Sequence, residues 1–193
     1  MPDSVSSWGD VAVAILAAGQ GKRFGSEKLM ANLGGIPLGF HIADTLAQMP
    51  FGWRIAVCSK GTALTQRFSA AGFDIIANAE PEKGQSHSLH LAVRAVQATE
   101  ATALLVVLAD MPFVTKGHVE KLLAQTREIV ASTSGDGPMP PALFPREVWP
   151  QLLATTGDAG ARDLLKDASL VYAPPSELRD IDVPADLRET RAP

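Results

Sequence analysis

The chain has a single cysteine, Cys58, among its 193 residues, so it cannot form a disulfide within itself. So little cysteine fits a reducing compartment. Cys58 ends the apolar run at residues 55–58, where a small buried hydrophobic residue is expected rather than a nucleophile.

Positive charge and long apolar stretches are also scarce. The formal net charge is −4, whereas broad binding of nucleic acid or of anionic membranes requires a basic surface. No apolar run approaches the roughly 20 residues that a membrane span needs, and residues 1–10 lack the basic start and apolar core of a signal peptide. We therefore expect a soluble cytoplasmic protein with neither a nucleic-acid nor a membrane partner.

Strand-like and helix-like segments alternate along the chain, whose length suits one domain. Residues 1–10 predict a flexible N-terminal tail, and residues 11–193 a single domain. The apolar patterns predict strands at residues 11–17, 53–58, 73–77, 103–109, 129–132 and 170–173, and helices at residues 36–49, 61–71, 86–99, 115–127, 145–154, 160–166 and 185–189, with a loop at 133–141.

This alternation predicts an α/β fold: a three-layer, mostly parallel, Rossmann-like sheet with helices on both faces. The less regular C-terminal part predicts an added antiparallel strand and a lid-like insertion. Ligands of such sheets bind at the carboxyl ends of the strands. The glycine-rich loop after the first strand, Asn78 and Asp110 all follow predicted strands.

The most informative stretch is VAVAILAAGQGKRFGSEKL at residues 11–29. An apolar run leads into a glycine-rich loop that carries three cations, Lys22, Arg23 and Lys28. Glycine has no Cβ, so backbone amides can approach a ligand closely, and amides arrayed in such a turn form an anion site. The loop therefore predicts a polyphosphate site.

Two other glycine loops fit this stretch less well. A Walker-type loop requires Lys-Ser/Thr after its second glycine, and that pair is missing. In a dinucleotide fingerprint Gly19 and Gly21 fit, but Phe24 holds the third glycine position, and no acidic residue ends the second strand at residues 58–60. A looser NADP-binding variant stays an alternative.

Acidic residues supply the second half of the expected site. Asp110 directly follows a buried strand, and a carboxylate there can hold Mg²⁺ together with substrate phosphates; a loop-starting Asp that caps an amide is the alternative. A second carboxylate could come from Asp180 or Asp182, which point the same way in an extended segment. Either could instead cap the final helix.

Three motifs resemble the MobA-like nucleotidyltransferase family over residues 11–187. They are LAAGQGKRFG at residues 16–25 with Lys28 following, DMPF at 110–113, and DIDVPADL at 180–187. Ala18, PALFPR at 141–146 and TGDAGAR at 156–162 resemble the molybdenum cofactor cytidylyltransferase (MocA-type) branch. Met139-Pro140-Pro141 stands where that branch usually has Gly-His-Pro, which leaves the acceptor open.

The resemblance implies Mg²⁺-dependent transfer of CMP from CTP to the phosphate of molybdopterin, with release of pyrophosphate. It implies catalytic roles for Arg23 and Lys28 and metal ligation by Asp110 and Asp182. The nucleotide-binding residues that it implies are Leu16, Ala17, Ala18, Gly19, Gly21, Lys22, Arg23, Lys28, Asn78, Gly84, Ser86, Ser88 and Asp110. A molybdoenzyme or its maturation chaperone is a possible partner.

Three other functions stay open at this point. One is a sibling guanylyltransferase that uses GTP, and another is a CTP-dependent transferase with a sugar or polyol phosphate as acceptor. The third is a non-catalytic accessory that binds the cofactor during maturation of a client enzyme.

Overall fold

A computed structural model describes residues 8–19, 28–61, 63–125, 128–157 and 161–189. The strands in chain order are β1 (Val11–Ala17), β2 (Asn32–Leu33), β3 (Ile36–Pro37), β4 (Trp53–Ser59), β5 (Asp74–Asn78), β6 (Ala103–Leu108), β7 (Val130–Thr133), β8 (Pro138–Pro145) and β9 (Ser169–Tyr172). The α-helices are α1 (Phe40–Ala47), α2 (Leu64–Ala70), α3 (Gln85–Gln97), α4 (Lys116–Leu123), α5 (Trp149–Leu153), α6 (Pro175–Leu178) and α7 (Asp186–Glu189). Among the described residues, no helix is both long and apolar enough to span a bilayer.

The main sheet has the strand order β5-β4-β1-β6-β8-β7-β9 within the described ranges. Strands β5, β4, β1 and β6 are mutually parallel. Strand β8 runs antiparallel to both β6 and β7, and β9 is parallel to β7. The mostly parallel sheet and the added antiparallel strand are thus confirmed, while the lid-like insertion stays a prediction.

Helices cover both faces of this sheet. Alternate side chains of β1 point to opposite faces: the odd-numbered ones pack with α1, α2 and α4, and the even-numbered ones with α3 and α5. The three-layer prediction is therefore confirmed. Cys58 lies in the first of these cores at 1% exposure, and burial raises the pKa of its thiol to about 11, as expected for a packed residue.

The predicted helix at residues 36–49 begins only at Phe40. Residues 32–37 form the small antiparallel ribbon β2–β3. Gly34 and Gly35 turn this ribbon with φ of +61° and +100°, a region that L side chains disfavour, and the Gly35 amide donates to Asn32 Oδ1 at 2.9 Å. The sequence prediction missed this turn because it weighed the apolar spacing alone.

Other differences lie in the C-terminal half. Strand β8 begins at Pro138, inside the predicted loop at 133–141. The first residues of β8 pair with β7 alone, beyond the end of β6. The predicted helix at 145–154 is a 3₁₀ turn followed by α5, and the one at 160–166 is a 3₁₀ turn at Leu164–Asp167. Helix α6 was not predicted.

Residues 8–10, within the predicted tail, contact the folded body. The rings of Trp8 and Phe51 have centroids 6.4 Å apart. The Asp10 carbonyl accepts from the Thr102 amide at 2.7 Å. The division into a tail at 1–10 and a domain at 11–193 stays a prediction, since residues 1–7 lie outside the described residues.

Candidate active site

The carboxyl ends of β1, β4, β5 and β6 meet at one edge of the sheet. Leu16 of β1 lies opposite Leu108 of β6, and the Ala109 amide extends this pairing by donating to the Leu16 carbonyl at 3.1 Å. Asn78 ends β5 in register with the end of β4. The end of β1, Asn78 and Asp110 therefore lie at one edge of the sheet, while residues 20–27 of the first loop lie outside the described residues.

Asp110 lies in the turn that follows β6. Its Oδ2 accepts from Lys28 Nζ at 2.9 Å, whereas its buried Oδ1 has no hydrogen-bond partner among the described residues. A buried polar atom without a partner is costly in a folded protein. Asp110 Oδ1 thus keeps its capacity to accept a hydrogen bond or to bind a metal ion.

The C-terminal segment brings a second carboxylate to the same place. The Ile181 amide donates to the Asp110 carbonyl at 3.0 Å, and the Ile181 side chain is fully buried against Leu33 and Leu38. Its neighbour Asp182 then reaches Lys28 Nζ through Oδ1 at 2.8 Å. A main-chain bond and an apolar anchor thereby place two acids from distant parts of the chain side by side.

The turn that carries Asp182 is itself held by a side chain. Asp186 Oδ2 accepts from the Asp182 amide at 2.7 Å and from the Val183 amide at 2.9 Å. These two backbone bonds lower the pKa of Asp186. Sequence analysis missed this role, although an acid in the first turn of a helix is a known signal for bonds back to preceding backbone amides.

Lys28 lies between the two carboxylates. It begins the 3₁₀ turn Lys28–Met30, which is bound to the segment after the β2–β3 ribbon because the Gly39 amide donates to the Leu29 carbonyl at 3.0 Å. Burial opposes the charge of Lys28, but Asp110 and Asp182 outweigh that effect and raise its pKa. The ammonium is therefore fully charged at neutral pH.

Asp180, the other acid that the sequence left open, has an exposed side chain. Partial desolvation and the neighbouring charges of Asp182 and Asp110 raise its pKa. Lys28 instead forms its ion pairs with Asp182 and Asp110.

The donor set fits a hard divalent cation that also binds substrate. Within the described ranges, no group of three or more His, Cys, Asp or Glu side chains is placed to hold a metal ion. Mg²⁺ is commonly bound by only one or two carboxylates, and substrate phosphates and water complete its octahedron. The unpartnered Oδ1 of Asp110 and the half-exposed carboxylate of Asp182 match that requirement.

The second loop at this edge connects β5 to α3. Asn78 is fully buried; its Nδ2 donates to Ser88 Oγ at 3.0 Å and its Oδ1 accepts from the Glu80 amide at 2.9 Å. Gly84 precedes α3 with φ of +86°, and Ser86 is buried at 4% exposure. These residues shape the loop, and contact of Asn78, Gly84, Ser86 and Ser88 with a nucleotide stays a prediction.

The first loop is described only at its two ends. Leu16, Ala17 and Ala18 are buried, and a Cβ added at the exposed Gly19 would meet no atom within 4 Å. The described residues therefore leave space at the Cβ position of Gly19. The predicted contributions of Gly21, Lys22 and Arg23 lie outside the described residues.

Another buried polar pair lies between α4 and strands β7 and β8. His118 of α4, at 2% exposure, approaches Ser132 Oγ of β7 with its Nε2 at 2.7 Å, and Ser132 Oγ donates to the Pro141 carbonyl at 2.8 Å. Because the serine proton is used on Pro141, His118 Nε2 must be the donor to Ser132. Burial lowers the pKa of His118, so this pair is neutral.

Comparison with known proteins places this chain in a family. Over 119 residues the chain is 34% identical to the "Purine catabolism protein PucB" of Bacillus subtilis strain 168, an alignment that covers 58% of each protein. A second relative, the "Bifunctional protein GlmU" of Janthinobacterium sp. strain Marseille, is 31% identical over 113 residues, which cover 58% of this chain and 25% of that protein. The chain thus matches little more than half of one curated relative and a quarter of the other.

Solved structures show the same fold. Rv0371c from Mycobacterium tuberculosis H37Rv superposes with a TM-score of 0.79 at 23% identity, covering 93% of this chain and 96% of that one; the same protein has also been solved in complex with manganese. The molybdopterin-guanine dinucleotide biosynthesis protein A from Archaeoglobus fulgidus gives a TM-score of 0.66 at 21% identity, covering 93% and 96%. The MobA-like NTP transferase domain model matches residues 13–173, and the chain accordingly belongs to the MobA-like nucleotidyltransferase family.

Proposed function

We propose that this nucleotidyltransferase transfers CMP from CTP to the phosphate of molybdopterin, releasing pyrophosphate. The observation that carries the proposal is the junction of Lys28 Nζ with Asp110 and Asp182 at the carboxyl edge of the sheet, with distances of 2.9 and 2.8 Å. A cation and two acids at the end of a phosphate-binding loop suit a reaction between two anions.

The reaction asks for alignment and charge neutralisation. An oxygen of the acceptor phosphate attacks the α-phosphorus of CTP, a new P–O bond forms, and the bond to the β-phosphate oxygen breaks so that pyrophosphate leaves with its electron pair. Lys28 offers an ammonium to the phosphate oxygens, and fixed positive groups that meet developing charge lower such barriers. In this proposal the amides of Gly19 and Gly21 and the cations Lys22 and Arg23 bind the triphosphate.

Asp110 and Asp182 would hold the divalent cation. Mg²⁺ bound there would neutralise phosphate charge and favour in-line attack. The manganese complex of Rv0371c supports a divalent ion in this fold. Asp186 and Ile181 keep the Asp182 turn in place, so the second acid faces Asp110 before substrate arrives.

The choice of CTP rests on sequence motifs. Ala18 and the segments at residues 141–146 and 156–162 resemble the cytidylyltransferase branch. In this proposal Asn78, Gly84, Ser86 and Ser88 form the side of the site that faces the base and ribose.

Pyrophosphate release tests the proposal. The purified chain is mixed with molybdopterin, Mg²⁺ and either CTP or GTP, and we expect release with CTP and much less with GTP. Faster release with GTP would assign the sibling guanylyltransferase reaction instead. Binding of the acceptor without pyrophosphate release from either nucleotide would favour a non-catalytic accessory.

A further inference from the structure

We propose that Lys28 occupies the position of the divalent cation and excludes that cation while no nucleotide is bound. The inference rests on the proposed function, since it takes Asp110 and Asp182 as the metal ligands. It assigns Lys28 a second task beyond contact with the triphosphate.

The ammonium lies between the two carboxylates that a shared metal ion would need. Lys28 Nζ lies 2.9 Å from Asp110 Oδ2 and 2.8 Å from Asp182 Oδ1. An ion held by both carboxylates would come close to the ammonium whichever oxygen of Asp110 it used, because Mg²⁺ binds its oxygen ligands at about 2.1 Å. The Lys28 side chain is only 10% exposed, so little of it is open to solvent.

The positive charge of Lys28 also opposes metal binding. The ammonium cancels the charge of one of the two carboxylates, and a dication that approaches from solvent is also repelled by it at close range. Metal entry in the absence of nucleotide therefore requires Lys28 to leave both acids for water. A triphosphate removes this obstacle because its oxygens give the ammonium new anionic partners.

The side chain can move while its backbone stays in place. The Lys28 carbonyl accepts from the Ala31 amide at 3.1 Å, and the Leu29 carbonyl accepts from Gly39. Lysine itself carries its charge on a flexible four-carbon stem. Rotation of the stem can thus transfer the ammonium from the carboxylates to a phosphate without unfolding the 3₁₀ turn.

The test measures metal binding with no nucleotide present. Mn²⁺ is titrated into the full chain and free Mn²⁺ is followed by electron paramagnetic resonance for wild type, Lys28→Met and Lys28→Arg. Removal of one nearby positive charge should tighten Mn²⁺ binding by about tenfold or more in Lys28→Met. Lys28→Arg, the matched control that keeps the charge, should bind Mn²⁺ as weakly as wild type.

A double variant locates the ion, and a second single variant guards against misfolding. Asp110→Asn added to Lys28→Met should abolish the gained affinity, and Lys28→Gln should reproduce the gain if Lys28→Met does not fold. Equal or weaker Mn²⁺ binding in the folded Lys28→Met or Lys28→Gln variant would overturn the inference. So would a gain that survives Asp110→Asn, or a gain of the same size in Lys28→Arg.

This result separates cleanly from the proposed function. The Mn²⁺ titrations contain no nucleotide, whereas the transferase proposal is tested by pyrophosphate release. If Lys28→Met binds Mn²⁺ more tightly but the wild-type protein releases no pyrophosphate, the exclusion of metal by Lys28 stands and the proposed CMP transfer does not.

Discussion

Two polar clusters each contain a buried side-chain atom without a hydrogen bond among the described residues, and their surroundings are opposite. In the first, Asp110 Oδ1 is left open beside Lys28 and Asp182. In the second, His118 Nδ1 is left open beside Ser132. The first cluster is charged and partly exposed, whereas the second is neutral and buried.

The comparison distinguishes a cluster that can bind a ligand from a buried pair that stabilises the fold. Ser132 is fully buried and its hydroxyl is used on both sides, by His118 and by the Pro141 carbonyl. Asp182 instead keeps almost half of its side chain exposed, at 46%. The charged cluster can therefore accept a ligand, while the neutral pair joins α4 to the C-terminal strands.

The largest expected effect is loss of turnover at the charged cluster. Asp110→Asn keeps the size of the side chain but removes its charge, and the loss of such an electrostatic contact typically slows an enzyme by about 10²–10³. Pyrophosphate release measures the rate, and circular dichroism should show an unchanged fold. Wild-type turnover in Asp110→Asn would remove Asp110 from the site.

A smaller loss of turnover is expected at Asp186, which acts through the backbone of Asp182 and Val183. Asp186→Ala frees the amides of Asp182 and Val183, so the second carboxylate is no longer held against Lys28. Loss of groups that orient a ligating side chain usually costs roughly 10- to 100-fold in metal affinity or activity. Asp186→Asn, which keeps an acceptor oxygen, is the control and should retain most of the turnover; equal loss in both variants would mean that the charge of Asp186 matters more than its hydrogen bonds.

The neutral pair should respond in stability instead. Ser132→Ala leaves His118 Nε2 and the Pro141 carbonyl without their partner, and an unsatisfied buried group costs about 1–3 kcal/mol. Urea unfolding measures this loss, while the turnover of the folded enzyme should be unchanged. A fall in turnover at unchanged stability would contradict the supporting role of this pair.

The smallest effect is a pH dependence of stability. Burial lowers the pKa of His118 below its ordinary value of 6.5, so the unfolded chain binds more protons once the pH falls below that value. The stabilisation is complete above pH 6.5 and is lost as the pH drops toward the pKa of the folded state. The free energy of unfolding measured with urea should therefore fall from about pH 7.5 to pH 5 more in wild type than in His118→Gln. Parallel pH curves for the two proteins would contradict this role of His118.

The fold was largely predictable because its strongest signals are local. The apolar runs of β1 and β6 are long enough to identify two buried parallel strands, and the turn at Asp110 follows directly. The proline-rich start of β8 was missed, since its pairing to β7 beyond the end of β6 is set by the sheet and not by propensity.

The candidate site was predicted in its residue types but not in its contacts. Lys28 is 82 residues from Asp110 and 154 residues from Asp182, so spacing alone could not show that one ammonium joins both acids. The role of Ile181 was missed for the same reason, because its amide bonds to the distant Asp110. Asp186 was missed although its bonds to the amides of Asp182 and Val183 are local.

Isothermal titration of the full chain with CTP and with GTP, each with Mg²⁺, tests the central claim most directly. The account predicts binding of CTP in preference to GTP, and loss of that binding in Asp110→Asn. Preference for GTP would keep the family and contradict the cytidylyl assignment, and equal CTP binding in Asp110→Asn would contradict the role given to the charged cluster.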